Sequence, residues 1–148
     1  MPVTDEQIAT LRAQLRGNIV EHRRLLKQLD ADEANVGYPA LIAAAFIAAV
    51  QQRFIRDGQP ADSSEVVDFV SRARAKHDEA PDVISPEIAE GMILRLLGRG
   101  PMIEIDEESK LAHQIILLAA LISQENFTEP ELDAFLVKAR AIADDFLG

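Results

Sequence analysis

The residues of this chain best suited to acid–base or metal chemistry are its three histidines, His22, His77 and His113. None of them has a glutamate three residues earlier, which rules out the Glu-x-x-His pairs that bind iron in helical bundles. The chain also lacks cysteine, so thiol nucleophiles, disulfides and cysteine-bound zinc are excluded.

His77 stands next to Asp78, and this dipeptide resembles the metal-binding pair of HD-type phosphohydrolases, which are all-helical enzymes. The resemblance implies a metal-dependent phosphohydrolase as one alternative function. Such a site needs a further histidine and a further carboxylate that converge on the same ion, and His22 with either Asp106 or Asp144 could supply them. The surrounding AKHDEAPD is more typical of a polar helix end, where a histidine contacts the last backbone carbonyls. We therefore predict no catalytic, metal-binding or cofactor-binding residues.

His113 and Gln114 interrupt the otherwise apolar stretch LAHQIILLAALI, residues 111–122. A histidine in such a stretch is most often a hydrogen-bonded core residue. The two side chains could instead be the polar groups of an internal pocket between alanine-rich helices. A small apolar-ligand-binding helical protein is thus an alternative function, which we place ahead of the hydrolase.

The composition is that of an acidic protein with one core. A chain of 148 residues is long enough for a single domain that buries roughly 68–70% of its unfolded surface. Its net charge of −10 repels phosphate backbones, which argues against nucleic acid as a partner. The N-terminus has no secretory signal pattern, and the longest apolar run, residues 39–50, is too short to span a bilayer. We expect a cytoplasmic protein without a membrane segment.

The N-terminal segment, residues 1–30, is predicted to form one long amphipathic helix. Thr4 followed by Gln7 is a capping box at its start, and the apolar periodicity continues to Leu29. Gly17 lies inside this helix at a cost of about 1 kcal/mol relative to alanine, so a kink could form there.

Residues 38–148 are predicted to form a helical-hairpin core, within a single domain of residues 1–148. After a linker at residues 30–37, Tyr38-Pro39 opens a buried apolar helix that closes at Asp57-Gly58. Four further helices follow the caps Asp62, Ser85, Asp106 and Thr128. The predicted fold class is all-α, a compact bundle of about six helices without strands.

One short pattern occurs twice at an offset of 66 residues, in DSSEVVDFVSRARA from Asp62 to Ala75 and in TEPELDAFLVKARA from Thr128 to Ala141. In each copy a helix cap is followed three residues later by a glutamate, and a strongly apolar helix comes just before. The identical positions pair Glu65 with Glu131, Phe69 with Phe135, Ala73 with Ala139, Arg74 with Arg140 and Ala75 with Ala141. We predict two related helical hairpins.

The turns that precede these two helices, RDGQPADSSE and SQENFTEPE, resemble the hairpin turns of the tellurite-resistance (TerB-like) helical proteins. Those turns read as Asp-Gly, a short polar stretch and an acidic helix start. The first turn keeps Asp57-Gly58 but has extra residues, and the second has the matching length with Gln124-Glu125 in place of Asp-Gly. The resemblance covers two turns and implies no activity.

One side of the N-terminal helix has its apolar residues at alternating a and d positions, which predicts a seam for self-association. Two further aliphatic residues widen this seam into a stripe that needs burial. The candidate interface residues are Ile8, Leu11, Leu15, Asn18, Ile19, His22, Leu25, Leu26 and Leu29. The pattern also allows this helix to fold back onto its own chain, where its basic residues would meet the acidic C-terminal third.

These patterns favour a non-enzymatic protein-interaction or regulatory module. The expected partner is a second copy, in a homodimer, or another protein.

Overall fold

Helices dominate the computed structural model, which describes residues 2–76, 84–100 and 104–148. Seven α-helices lie in these ranges, so the predicted all-α bundle of helices is confirmed. One two-stranded antiparallel hairpin accompanies them. The elements are α1 (Asp5–Leu15), α2 (Ile19–Gln28), α3 (Tyr38–Phe54), β1 (Ile55–Arg56), β2 (Gln59–Pro60), α4 (Ser63–Ala75), α5 (Pro86–Leu96), α6 (Glu107–Glu125) and α7 (Glu129–Leu147).

The chain divides into two units, one made of Met1–Ala48 with Ile122–Gly148 and the other of Ala49–Leu121. The first unit contains α1, α2 and α7, and the second contains α4 and α5. Helices α3 and α6 each begin in one unit and end in the other. The N-terminal helix α1 belongs to the same unit as the C-terminal helix α7.

Gly17 divides the predicted long N-terminal helix into α1 and α2. Its φ of +76° lies in the left-handed region, which glycine adopts without strain. The Asn18 N–H then donates to the Ala13 carbonyl at 2.9 Å, as in a Schellman helix end. The Asn18 side chain in turn caps α2 by accepting a hydrogen bond from the Glu21 N–H at 3.3 Å.

Most of the predicted linker at residues 30–37 is helical. A π-helical turn, Glu33–Gly37, leads directly into α3, and the Tyr38 N–H closes it by donating to the Glu33 carbonyl. Pro39 follows at once, and its ring would crowd an α-helical carbonyl four residues earlier, so a wider turn is favourable here. Gly37 is required because a Cβ there would lie 2.2 Å from Gln7 Nε2.

The predicted helix end at Asp57-Gly58 is the turn of a β-hairpin. Helix α3 ends at Phe54, and Ile55 then pairs with Pro60 across the turn. Asp57 and Gly58 have φ values of +53° and +76°, as the two central residues of a type I′ turn require.

Helices α4 and α7 repeat the same local structure, each within its own unit. The Asp62 carboxylate accepts a hydrogen bond from the Glu65 N–H at 3.2 Å, and the Thr128 hydroxyl accepts one from the Glu131 N–H at 3.3 Å. The predicted repeat of helix cap and glutamate is therefore present in both helices, while the pairing of each with the apolar helix before it stays a prediction. The matching buried residues are Val66, Phe69, Val70 and Ala73 in α4, and Leu132, Phe135, Leu136 and Ala139 in α7.

The repeated arginine makes the same kind of contact in both units. Arg74 Nε donates to the Ile84 carbonyl at 3.1 Å, and Arg140 Nη2 donates to the Val3 carbonyl at 2.7 Å. Ile84 and Val3 are buried, and each directly precedes the N-cap of a helix, α5 or α1. Arg140 of α7 thus bonds to the residue before the N-cap of α1, and Arg74 of α4 bonds to the residue before the N-cap of α5. In these contacts α1 corresponds to α5, and α7 corresponds to α4.

Helices α1 and α5 also match each other. Both have 11 residues, and both end at a left-handed glycine, Gly17 with φ +76° and Gly98 with φ +71°. The residue after each glycine donates its N–H to a carbonyl five residues earlier, from Asn18 in α1 and from Arg99 in α5, at 2.9 Å in both. The correspondence between the two units therefore extends from the predicted hairpins to a third helix.

Within the described residues, one helical segment, Glu33–Phe54, is apolar and long enough at 22 residues to meet the length and composition criterion for crossing a membrane. Its most apolar window is 56% buried inside the protein. Ala44, Ala45 and Ala48 are completely buried, as expected of a core helix, and a core helix meets the same criterion.

Candidate interaction surface

Helix α2 buries none of its residues, although its sequence is amphipathic. Val20 exposes 81% of its surface, and Ile19 and Leu26 are also exposed. Exposed aliphatic residues are common singly, but three on one ten-residue helix that has no buried residue leave α2 with apolar surface that its own chain does not cover. Helical spacing puts Ile19 and Leu26 on one face and Val20 about 100° around the helix from Ile19. These three residues are called the α2 patch below.

Polar contacts of His22 help to hold α2 against α1. His22 Nδ1 lies 2.9 Å from the Thr10 carbonyl oxygen, which can only accept, so this nitrogen carries a proton. The imidazole ring lies 6.5 Å from the ring of Tyr38, whose hydroxyl donates to Gln14 Oε1 at 3.1 Å. This anchoring through His22 leaves the α2 patch facing solvent.

The nine predicted interface residues differ in how far they are buried. Leu11 is fully buried in the core of its unit, whereas Ile8, Leu15, His22, Leu25 and Leu29 are half-buried. Asn18, Ile19 and Leu26 are exposed. A continuous seam would need a straight helix, and the break at Gly17 prevents one.

Val20, the most exposed of these aliphatic residues, was outside the predicted seam because it falls on neither an a nor a d position. The signal that could have found it is Gly17-Asn18. A glycine marks the end of one helix, and an asparagine directly after it marks the start of the next. The apolar positions of the second helix must then be counted afresh from the asparagine.

The charged residues of α2 are mainly basic. Arg23, Arg24 and Lys27 are exposed, against a single carboxylate, Glu21. Arg24 Nε donates to Glu21 at 2.9 Å, and the hydrogen bonds from this guanidinium hold the pKa of the Glu21 carboxyl below its usual value. Among the described residues, neither Arg23 nor Lys27 forms an ion pair. The α2 patch is therefore flanked by unpaired positive charge.

The basic residues of α1 instead meet acidic residues of α7 in the same chain. Arg12 Nη2 lies 2.9 Å from Asp133 Oδ1, and it also contacts Glu129. Arg16 contacts Glu129 as well. Arg12 and Arg16 thus contact the acidic C-terminal third of their own chain. The cations of α2, Arg23 and Lys27, have no such partner among the described residues.

A groove of about 300 Å³ lies between α1 and α7. Ile8 and Ala9 line it from α1, and Leu136 and Val137 line it from α7. The ion pair of Arg12 with Asp133 lies toward one end, and that of Arg140 with Asp5, at 2.7 Å, lies toward the other. The groove thus has apolar walls between two charged ends.

A second hollow, of about 280 Å³, lies beside the π-helical turn. Its polar groups are bonded to one another: Gln7 Oε1 accepts from the Thr4 N–H at 2.9 Å, and Gln7 Nε2 donates to the Glu33 carbonyl at 3.2 Å. The Thr4 hydroxyl donates to the Glu33 carboxylate at 2.6 Å. These contacts fix the start of α1 against the π turn.

His113 caps a helix. The Ser85 N–H donates to His113 Nε2 at 3.0 Å, and because a backbone N–H can only donate, the ring is neutral with its proton on Nδ1. Nδ1 donates in turn to the Ser109 carbonyl at 2.7 Å. His113 thus accepts a hydrogen bond from the backbone N–H of the α5 N-cap residue, Ser85. Gln7 does the same for the α1 N-cap residue, Thr4. Both ring nitrogens of His113 are used by the backbone, and the neighbouring Gln114 is buried.

His77 and Asp78, the candidate metal pair, lie outside the described residues. Across residues 2–76, 84–100 and 104–148, no group of three or more histidine, aspartate and glutamate residues is arranged to hold a metal ion. The other histidine considered for that pair, His22, is bonded to Thr10 at the α1–α2 contact.

No family model, no curated protein and no solved structure matches this chain. What the structure itself defines is an all-α protein in which one amphipathic helix exposes Ile19, Val20 and Leu26.

Proposed function

We propose that this protein is a non-enzymatic protein-interaction module that self-associates through helix α2. The observation that carries the proposal is the α2 patch, in which Val20 is 81% exposed on a helix that buries none of its residues. Water-exposed aliphatic area of this kind gains roughly 25 cal/mol for each Å² that a partner removes from water. A partner that covers the patch would provide the burial that α2 lacks within its own chain.

The charge around the patch favours an acidic protein as the partner. Arg23 and Lys27 are unpaired among the described residues, while the chain as a whole carries −10. An acidic surface is attracted to these cations, whereas the overall charge repels nucleic acid. A second copy of the chain offers such a surface at equal concentration, so a homodimer is the preferred arrangement and another acidic protein is the alternative. We place this association in the cytoplasm, in keeping with a chain that has no cysteine.

Light-scattering mass tests the proposal on three single variants and the unchanged chain. We expect the unchanged protein to approach twice its 16.3 kDa at tens of micromolar, and Val20→Lys and Leu26→Lys to stay near the monomer mass. Lysine in the patch opposes association because it must lose its hydration in the interface. Val67→Lys is the matched control, since Val67 is also an exposed valine on a helix but lies in the other unit.

A monomeric mass for the unchanged chain over this concentration range would refute self-association. A dimer that tolerates both α2 substitutions would place the contact elsewhere on the molecule. Circular dichroism of each variant separates loss of association from loss of folding, and all three substituted side chains are exposed, so folding should be retained.

A further inference from the structure

The two units differ where α1 meets α7. Because α1 corresponds to α5 and α7 to α4, Arg12 takes the position of the buried Ile93, and Asp133 takes the position of Val67. An apolar position has thus become an ion pair across α1 and α7, next to a groove of about 300 Å³. The ion pair beside the groove therefore distinguishes this pair of helices from the corresponding pair in the other unit.

The more exposed charges at the rim of this groove are carboxylates, each of them paired with an arginine. The carboxylates of Asp5 and Asp133 are 89% and 61% exposed, whereas their partners Arg140 and Arg12 are 38% and 26% exposed. The arginines lie deeper and are partly screened from solvent by the protein around them. A molecule that approaches the groove therefore meets carboxylates first.

The groove also presents an exposed apolar residue. Val137 lines it with 69% of its own surface open to solvent, and Ile8 and Leu136 lie beside it. An acidic rim around an aliphatic surface fits a basic amphipathic helix, because such a helix provides both the aliphatic side chains and the flanking cations.

We propose that the groove between α1 and α7 receives helix α2 of a second copy of this chain, an inference that rests on the proposed self-association. Val20 and its neighbours in the α2 patch meet Val137, while Arg23 and Lys27 face the carboxylates of Asp5 and Asp133. Both surfaces belong to the same unit, so a twofold axis produces the contact twice, with each copy giving one α2 and one groove. The charge argument selects this occupant, since α2 combines exposed aliphatic residues with unpaired cations.

Cysteine cross-linking tests the pairing directly, because the chain has no cysteine of its own. We would mix a Val20→Cys variant with a Val137→Cys variant and oxidise the mixture near the association midpoint. We expect the mixed disulfide to exceed both homodimeric products. Val67→Cys, an exposed valine in the other unit, replaces Val137→Cys in the control mixture and should give only the product expected from random collision.

The outcomes separate this inference from the function on which it rests. A dominant Val20→Cys homodimer would mean that α2 pairs with α2, and equal reaction with Val67→Cys would mean no preferred receiving surface. Either result overturns the groove pairing while self-association stands. If the proteins are monomeric by mass and no product exceeds the control, both proposals fail.

Charge reversal gives a second readout. The double variants Asp5→Lys with Asp133→Lys, and Arg23→Glu with Lys27→Glu, should each associate at least about tenfold more weakly than the unchanged chain. Mixing the two double variants should restore association. The acidic α2 of one variant then meets the basic groove of the other, and the unchanged α2 and the unchanged groove meet in the second contact. Failure of the mixture to recover would overturn the pairing, and Asp68→Lys on α4 is the matched acidic control.

Discussion

Tyr38 is the only tyrosine of the chain, and its ring is buried beside His22. Burial raises the pKa of its phenol above the ordinary 10.0, because the charged phenolate would lose its hydration. The unfolded chain releases this proton near pH 10 while the folded chain keeps it, so the free energy of unfolding should fall as pH rises above 10. With a single tyrosine, an absorbance titration for tyrosinate should show no ionisation until the helical circular dichroism is lost.

The Tyr38→Phe variant is the control for this prediction, because lysines titrate over the same pH range. It should show a shallower loss of stability above pH 10, together with a cost of about 0.5–1.5 kcal/mol at neutral pH for the lost hydrogen bond to Gln14. Appearance of tyrosinate near pH 10 in a protein that is still helical would show that the phenol is accessible to solvent.

Single residues were the most predictable part of the fold. The capping boxes of Thr4 with Gln7 and of Thr128 with Glu131 form as expected, because a cap depends on residues only three positions apart. The role of His113 was not predictable in the same way. Its partner, Ser85, lies 28 residues away, and no local pattern brings the two together.

At the scale of elements, Arg74 and Arg140 should have similar effects on stability, to which Arg140 adds an exposed ion pair with Asp5 worth at most about 1 kcal/mol. Each donates a hydrogen bond to the carbonyl that precedes another helix, and the carbonyl loses that partner when the arginine is replaced. Arg74→Met and Arg140→Met keep the alkyl stem and should each lower the free energy of unfolding by about 1–3 kcal/mol in urea titrations.

The matched controls are Arg72→Met and Lys138→Met, which remove an exposed charge two residues earlier at corresponding positions of α4 and α7. They should change stability by less than about 0.5 kcal/mol. Arg140→Met also breaks the exposed ion pair with Asp5. A difference between the effects of Arg74→Met and Arg140→Met larger than the roughly 1 kcal/mol that such a pair can contribute would contradict the equivalence of α1 and α5.

Most helix boundaries followed from the sequence, and the exceptions have a common cause. Gly17 was assigned to a helix interior and Asp57-Gly58 to a helix end, yet both places are turns between separate elements. A glycine with positive φ serves a helix end, a kink or a hairpin equally well, so its identity alone does not settle which element follows. The π-helical turn before Pro39 depends on packing with Gln7 and has no local signature.

At the scale of the whole molecule, hydrogen exchange should rank the helices by burial. Helix α2 buries no residue, whereas α3 has completely buried residues such as Leu41 and Val50. We expect amide protection in dilute protein to be lowest in α2 and highest in α3, because opening α2 exposes little apolar surface. Protection in α2 should increase with protein concentration if a second copy covers it, and Val20→Lys should abolish that increase.

Equal protection of α2 and α3 at low concentration would mean that α2 is held more firmly than its contacts indicate.

The candidate surface shows which part of the fold could not be predicted from the sequence at this scale. The sequence pattern marked Ile19 and Leu26 as residues that widen the seam, and both are exposed in the structure. It also marked Leu11, which is buried in its own unit, because a pattern does not distinguish burial within a chain from burial between chains.

The pairing of α1 with α7 has a consequence for biosynthesis. The Val3 N–H donates to the Asp144 carboxylate across 141 residues, whereas the unit Ala49–Leu121 is continuous in the chain. At synthesis rates of about 5–20 residues per second, α1 waits about 7 to 28 seconds for α7 to be made. During that time Val3 lacks the helix beside which it is finally buried, so we expect the nascent N-terminal segment to expose apolar surface to a ribosome-associated chaperone until α7 has been made.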